Sequence, residues 1–300
     1  MPISSRHFHR PSLLLVLGLR LVRLGFRLGS VVAPGLATRA AVWLFTRPHR
    51  SLPTDGELAL LREARSYTLP FREGTLSVME WGAGPTVLCV HGWSSRGSRF
   101  AELSRSLAQA GYRAVVFDAP AHGQSSGRNL DLFVYREAVR TVAQGLEPLY
   151  GLIGHSFGAT ACLLALEEGL VVSKVIFFSA LNGIRGPVLY FCRLLRLPER
   201  LVRKMKKSFE ARYGRTVESL EALQIVPSLD TPPLLLFHDI GDRILPFQDA
   251  LDLVGVWSNS RLISTTGSGH DGILSNPHLI EQAIHFLDEI EEPQSVGIGG

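Results

Sequence analysis

Apolar residues recur along this 300-residue chain with two periods. Short unbroken runs at residues 87–90, 114–117, 149–153, 175–178 and 234–237 predict strands buried on both faces, and 261–264 reads as a further strand. Between them the spacing turns helical. Phe100, Leu103 and Leu107 mark one helix, stopped by Gly111. Residues 132–142 form another, and a small-residue run after Gly158 closes near Gly169. A further helix falls near residues 250–254, and Leu279, Ala283, Phe286, Leu287 and Ile290 mark the last. Residues 67–71 and 75–81, meeting at Glu73-Gly74, predict an opening hairpin. This alternation implies an α/β fold, with a mostly parallel sheet covered by helices on both faces.

The alternation breaks twice. Residues 181–228 are helical and irregular, without a clear strand. There Leu189, Leu194, Leu195, Leu201 and Val202 interleave with Arg193, Arg196, Arg200, Arg203, Lys204, Lys206 and Lys207. This segment reads either as a solvated basic face or as a cap whose apolar side meets substrate. Residues 1–52 form a basic apolar segment ahead of a linker at 48–53. Arg20, Arg23 and Arg27 fall within about 60° on a helical wheel, and Arg6 and Arg10 extend that face. The leading expectation is a helix resting on an anionic membrane surface. Packing on the domain and a signal or anchor are the other readings, and no 18-residue charge-free run is present to span a bilayer. The expected organisation is therefore a core at 53–180 and 229–290, a helical cap at 181–228 and a disordered tail at 291–300.

Charge sharpens this division. The chain carries a net +4. Residues 1–50 hold eight Arg and no acid, and residues 185–215 hold ten Lys and Arg against two Glu, so the remainder is net −12. Basicity confined to two segments, with no recognition motif, argues against a nucleic-acid partner. A hydrophobic content of 46% suffices for a large core. Cys89, Cys162 and Cys192 lie in apolar segments and suggest reduced thiols. The expected location is cytoplasmic, with peripheral association at the inner membrane. No metal-type Cys/His spacing is visible, and no cofactor is expected.

The candidate chemistry begins at Gly154-His155-Ser156-Phe157-Gly158, a G-x-S-x-G between a strand run and a helix run. A tight turn there would raise a serine hydroxyl out of the sheet, beside backbone N–H groups at a helix N-terminus. A serine needs a base, and the base needs a carboxylate to orient it. The stretch after the 234–237 strand offers Asp239 and Asp242. The stretch after the 261–264 strand offers His270, with Asp271 beside it. The order serine, acid, histidine is that of one hydrolase fold.

At these residues the chain resembles the α/β-hydrolase superfamily, over roughly residues 65–290. His91-Gly92-Trp93 resembles its oxyanion loop. Residues 118–125 look like its D-x-P-G-x-G-x-S segment, with Ala121 in place of a glycine. HGW together with DAPAHG is similar to a bacterial subgroup of hydrolases, and residues 181–228 fall where the family places its cap. The resemblance implies Ser156 as nucleophile, Asp242 as acid and His270 as base. It implies the backbone N–H groups of Trp93 and Phe157 as oxyanion donors. Asp239 is the rival acid. His91, His122 and His155 read as hydrogen-bonded structural histidines, and Asp118 as an anchor of its loop. The expected activity is hydrolysis of carboxylic esters, with lipid-like esters as the narrower expectation, through an acyl-enzyme. Thioester hydrolysis or acyl transfer with the same residues is the alternative, and a non-catalytic binding scaffold is a third reading. The expected partner is a small ester or thioester, with an anionic membrane surface in addition.

Overall fold

Eight strands form one sheet in a computed structural model of the chain, which describes residues 13–146 and 148–289. The expected extension through Arg6 and Arg10, the last-helix position Ile290 and the expected disordered tail 291–300 lie outside the described residues. The strands are β1 (Arg65–Phe71), β2 (Gly74–Trp81), β3 (Thr86–Val90), β4 (Arg113–Phe117), β5 (Leu149–His155), β6 (Val172–Phe178), β7 (Leu234–Asp239) and β8 (Ser260–Thr265). In chain order the helices are α1 (Leu13–Val32), α2 (Pro34–Phe45), α3 (Asp55–Leu61), α4 (Ala101–Gln109), α5 (Leu132–Gln144), α6 (Phe157–Glu167), α7 (Arg185–Leu194), α8 (Glu199–Tyr213), α9 (Ala222–Ile225), α10 (Phe247–Val256), α11 (Gly269–Gly272) and α12 (Pro277–Asp288).

The sheet order is β1-β2-β4-β3-β5-β6-β7-β8. The β1–β2 and β2–β4 pairs are antiparallel, and every other neighbour is parallel. The expected hairpin is present, with Phe71 opposite Gly74. Strand β3 is buried at every position, as its unbroken apolar run requires. Its alternate residues serve two layers. Val87 and Cys89 join Leu103, Leu107, Leu279 and Phe286 of α4 and α12. Leu88 and Val90 point the other way, toward the side where α6 packs beside α5. Because β3, β5, β6, β7 and β8 run parallel, the loops that follow them emerge at one edge of the sheet. Trp93, Ser156, Asp242 and His270 all follow strands of this set, so topology alone gathers them.

The chain divides into two compact units. The sheet and its helices belong to the unit of residues 46–183 and 220–289. The other unit pairs residues 13–45 with 184–219. In it, Phe26, Ala37, Ala41, Cys192, Leu195, Leu201 and Met205 form an apolar core shared by α1, α2, α7 and α8 and the turn between the last two. The Arg23 guanidinium donates to the Leu194 carbonyl at 3.1 and 2.8 Å, tying α1 to the end of α7. No described helix is long and apolar enough to cross a membrane.

Candidate active site

The turn from β5 into α6 holds Ser156 at φ 53° and ψ −122°. A side chain at such a backbone position costs on the order of 1–3 kcal/mol. Its two glycine neighbours permit the turn. A Cβ at Gly158 would stand 2.3 Å from the Val90 carbonyl oxygen, and one at Gly154 would stand 2.7 Å from the Ala159 Cα. Strand and helix thus meet at backbone distance, and Ser156 is fastened by its N–H donating to the Phe178 carbonyl at 3.0 Å.

Three distant side chains meet at this turn. His270 Nε2 lies 3.0 Å from Ser156 Oγ, and His270 Nδ1 lies 2.7 Å from Asp242 Oδ2. The carboxylate accepts from Nδ1–H, which leaves Nε2 as the acceptor for the serine hydroxyl. Asp242 Oδ1 accepts the N–H groups of Ile244 at 2.8 Å and Leu245 at 3.1 Å. Burial by itself would raise the Asp242 pKa. The hydrogen bonds from His270, Ile244 and Leu245 outweigh it and hold the carboxyl at about 2. Asp242 is therefore an anion at neutral pH, with its side chain fully out of solvent.

Asp239 does different work. Its Oδ1 accepts the Gly241 N–H at 2.8 Å, and its Oδ2 accepts the Ser268 N–H at 2.7 Å and the Thr265 hydroxyl at 3.0 Å. It clamps the end of β7 to the turn that carries His270. Asp271 faces outward, with a carboxylate oxygen 3.8 Å from the Arg99 guanidinium. Of these three candidate acids, only Asp242 is hydrogen-bonded to the imidazole.

The Trp93 and Phe157 N–H groups have no hydrogen-bond partner among the described residues. The loop carrying Trp93 runs against the serine turn, since a Cβ at Gly92 would lie 3.1 Å from the Ser156 Cβ. The Trp93 ring meets the Phe157 ring edge-on at 5.5 Å.

Buried histidines brace this loop. His91 Nδ1 donates to the Gly92 carbonyl at 2.7 Å, and its Nε2 accepts the Ala119 N–H at 2.9 Å. The Tyr135 hydroxyl donates to the His91 carbonyl at 2.5 Å. His122 Nδ1 donates to the Pro120 carbonyl, and its Nε2 accepts the Ser94 N–H at 2.9 Å. Burial pushes His91 down to about 4 and His122 down to about 3, so both are neutral at pH 7. Asp118 accepts the Gly97 and Gln124 N–H groups, each at 2.8 Å. His155 Nε2 donates to the His270 carbonyl at 3.0 Å, and its other nitrogen is buried without a partner. Burial, with His270 nearby, lowers His155 to about 4. The ligating atoms of His155, His270 and Asp271 lie within 4.8 Å of one another. Both ring nitrogens of His270 are already engaged, which leaves this trio little to offer a metal ion.

Sequence reasoning missed Arg50. Its guanidinium donates to the carbonyls of His122 (3.1 Å), Gly123, Ser125 (2.7 Å) and Gly127 (3.1 Å). A linker residue thus holds the 118–127 loop, and the loop holds Ser94 beside Trp93. Nothing in the composition of the linker signals this. Tyr135 lies within the helix expected at 132–142, and nothing in its spacing marks the bond it makes to the His91 carbonyl.

Comparison with known proteins places this geometry in context. A model described as "Alpha/beta hydrolase family" matches residues 87–283. The chain is 36% identical over 124 residues to a serine hydrolase-like protein of Danio rerio, covering 38% of each chain. It is 33% identical over 111 residues to a pimeloyl-[acyl-carrier protein] methyl ester esterase of Nitrosospira multiformis, covering 35% of this chain and 42% of that one. The chain thus spans about two fifths of the length of these curated relatives. Among solved structures, a putative lipase from Acinetobacter baumannii superposes with a TM-score of 0.60 at 19% identity, over 79% of this chain and 97% of the other.

Proposed function

The chain belongs to the alpha/beta hydrolase family, and from that premise we propose that it is a serine hydrolase of carboxylic esters with Ser156, His270 and Asp242 as its catalytic residues. One observation carries the proposal. An unbroken hydrogen-bond chain runs from the strained Ser156 hydroxyl through both nitrogens of His270 to the buried Asp242 anion, at 3.0 and 2.7 Å. The similarity to a protein named as a methyl ester esterase favours the same substrate class.

In this reading His270 Nε2 takes the Ser156 proton as Oγ attacks the ester carbonyl. The carbonyl oxygen gains negative charge and is met by the unpartnered N–H groups of Trp93 and Phe157. The imidazolium is steadied by Asp242 and returns its proton to the departing alkoxide, leaving an acyl-serine. Water, deprotonated by His270, then attacks that ester and restores the hydroxyl. The Trp93 and Phe157 rings beside the nucleophile suit an apolar acyl or alcohol portion, which supports a lipid-like ester. The buried free cysteines Cys89, Cys162 and Cys192 suit a reducing compartment.

The test is turnover of p-nitrophenyl esters of graded acyl length by the native enzyme and by Ser156→Ala, with fluorophosphonate labelling in parallel. Native protein should turn over the esters and label at Ser156, and the variant should do neither. Undiminished turnover by Ser156→Ala would overturn the assignment.

A further inference from the structure

Helix α1 buries one face and leaves an apolar stripe in solvent on the opposite one. Phe26 and Ser30 are buried in the core of their unit. Across the helix, Leu21 is 70% exposed, Leu24 51%, Leu28 57% and Val31 70%, and Leu17 continues the line. Their spacing alternates between four and three residues, so they form one continuous ridge. Arg20 and Arg27 are exposed and lie along one flank of it. A monomeric protein rarely leaves such a ridge uncovered.

Two occupants fit an apolar ridge of this period: a second copy forming a coiled coil, or a lipid surface. The flanking residues discriminate. In coiled-coil terms the ridge supplies the seam, Arg20 and Arg27 occupy one flanking register, and Gly18 and Gly25 occupy the other. No acid is available to pair with the arginines, because residues 13–45 contain four Arg and no Asp or Glu. Across such a seam the α1 of a second copy would bring only arginine, glycine or Val32 to each arginine, and none of these neutralises it. An anionic bilayer instead offers phosphates at the level of the guanidinium groups and hydrocarbon below them.

We propose that the Leu17–Val31 ridge of α1 docks on the surface of an anionic membrane, with Arg20 and Arg27 reaching lipid phosphates. The helix lies in the interface plane and does not cross the bilayer. This docking requires no chemistry at Ser156, so it stands or falls apart from the hydrolase reading.

Co-sedimentation of the full chain with vesicles tests it. Phosphatidylcholine vesicles holding about 30% phosphatidylglycerol should bind the protein, and phosphatidylcholine alone should bind it far less. L21E/L28E should weaken binding by about tenfold or more, since it places charge in the apolar layer. R20Q/R27Q should weaken it by about fivefold per arginine removed, and added salt should do the same. Both pairs sit on exposed positions, so turnover of a soluble short-chain ester and the circular dichroism spectrum should match the native protein. Should L21E/L28E misfold, the R20Q/R27Q pair and the salt dependence still decide. Unchanged binding of well-folded L21E/L28E would overturn the proposal. So would a concentration-dependent dimer, seen by sedimentation equilibrium and lost in L21E/L28E, in a protein that ignores vesicles.

Discussion

Replacing Ser156 by glycine rather than alanine should stabilise the protein, although both variants lose the hydroxyl. At φ 53° and ψ −122° the backbone of residue 156 is held where a Cβ is strained. Relief of that strain contributes roughly 1–3 kcal/mol. Glycine gives back about 0.4–1 kcal/mol through the greater freedom of the unfolded chain, and loss of a half-buried methyl costs about 0.5 kcal/mol more. The balance is about 1 kcal/mol in favour of Ser156→Gly over Ser156→Ala, or roughly 2 °C in Tm for a chain of this size. The alanine variant is the correct reference, because it removes the bond to His270 Nε2 while keeping the Cβ. Urea unfolding of the two variants side by side at 25 °C would measure the difference. At an unstrained position the same change costs stability by about 0.5–1 kcal/mol. If Ser156→Gly were less stable than Ser156→Ala by that amount, no strain would be stored at the turn.

Other expectations follow from neighbouring contacts. Asp242→Asn should lower kcat by about 10³–10⁴ with little change in folding, since the amide would favour the wrong tautomer of His270; Asp239→Asn should instead cost about 2 kcal/mol of stability, as an NH₂ would oppose an N–H that now finds a carboxylate. Steady-state kinetics and urea unfolding on the same two proteins check both halves. His91, His122 and His155 are buried neutral, with folded pKa values of about 4, 3 and 4 against 6.5 unfolded. Their stabilisation is full above pH 6.5 and is lost as pH falls toward 4, because the unfolded chain then binds the protons. Near pH 5 the unfolding free energy should fall by about 4 kcal/mol per pH unit, the effect of about three protons, and a slope near zero would refute their neutral burial. Arg50→Ala should lower kcat about tenfold with KM little changed, through slack in the loop that positions Ser94 and Trp93. Arg50→Lys should recover only part, as one ammonium cannot serve four carbonyls, and a full kcat in Arg50→Ala would show that the loop holds itself.

Much of this fold was legible because its signals are local. The strands β3, β4, β6 and β7 announce themselves as unbroken apolar runs, and the serine turn as glycines at fixed offsets. The α/β layering follows from those runs. Helices α2 and α3 fall outside those expectations for different reasons. Helix α3 opens with Thr54-x-x-Glu57, a capping box whose reciprocal hydrogen bonds both form; the signature was there to be read. Helix α2 begins at Pro34, a residue that suits a first turn, but its face matters only because Ala37 and Ala41 meet Cys192 and Leu201 from far along the chain. No local pattern reports such a partnership. The same limit separates Asp239 from Asp242. Both follow β7 in a polar loop, and only the cross-strand bonds from Thr265 and Ser268 give one carboxylate to the backbone and leave the other facing His270.

The position of Arg50 and of the first two strands bears on where this protein can be cut. All of them precede residue 87, where the family match begins. A fragment trimmed to the matched span would lack β1 and β2 and would bare the β4 edge that β2 now pairs, an invitation to aggregate. It would also leave four carbonyls of the 118–127 loop without the guanidinium on which they converge. Such a fragment would retain every atom of Ser156, Asp242 and His270 and still be expected to precipitate.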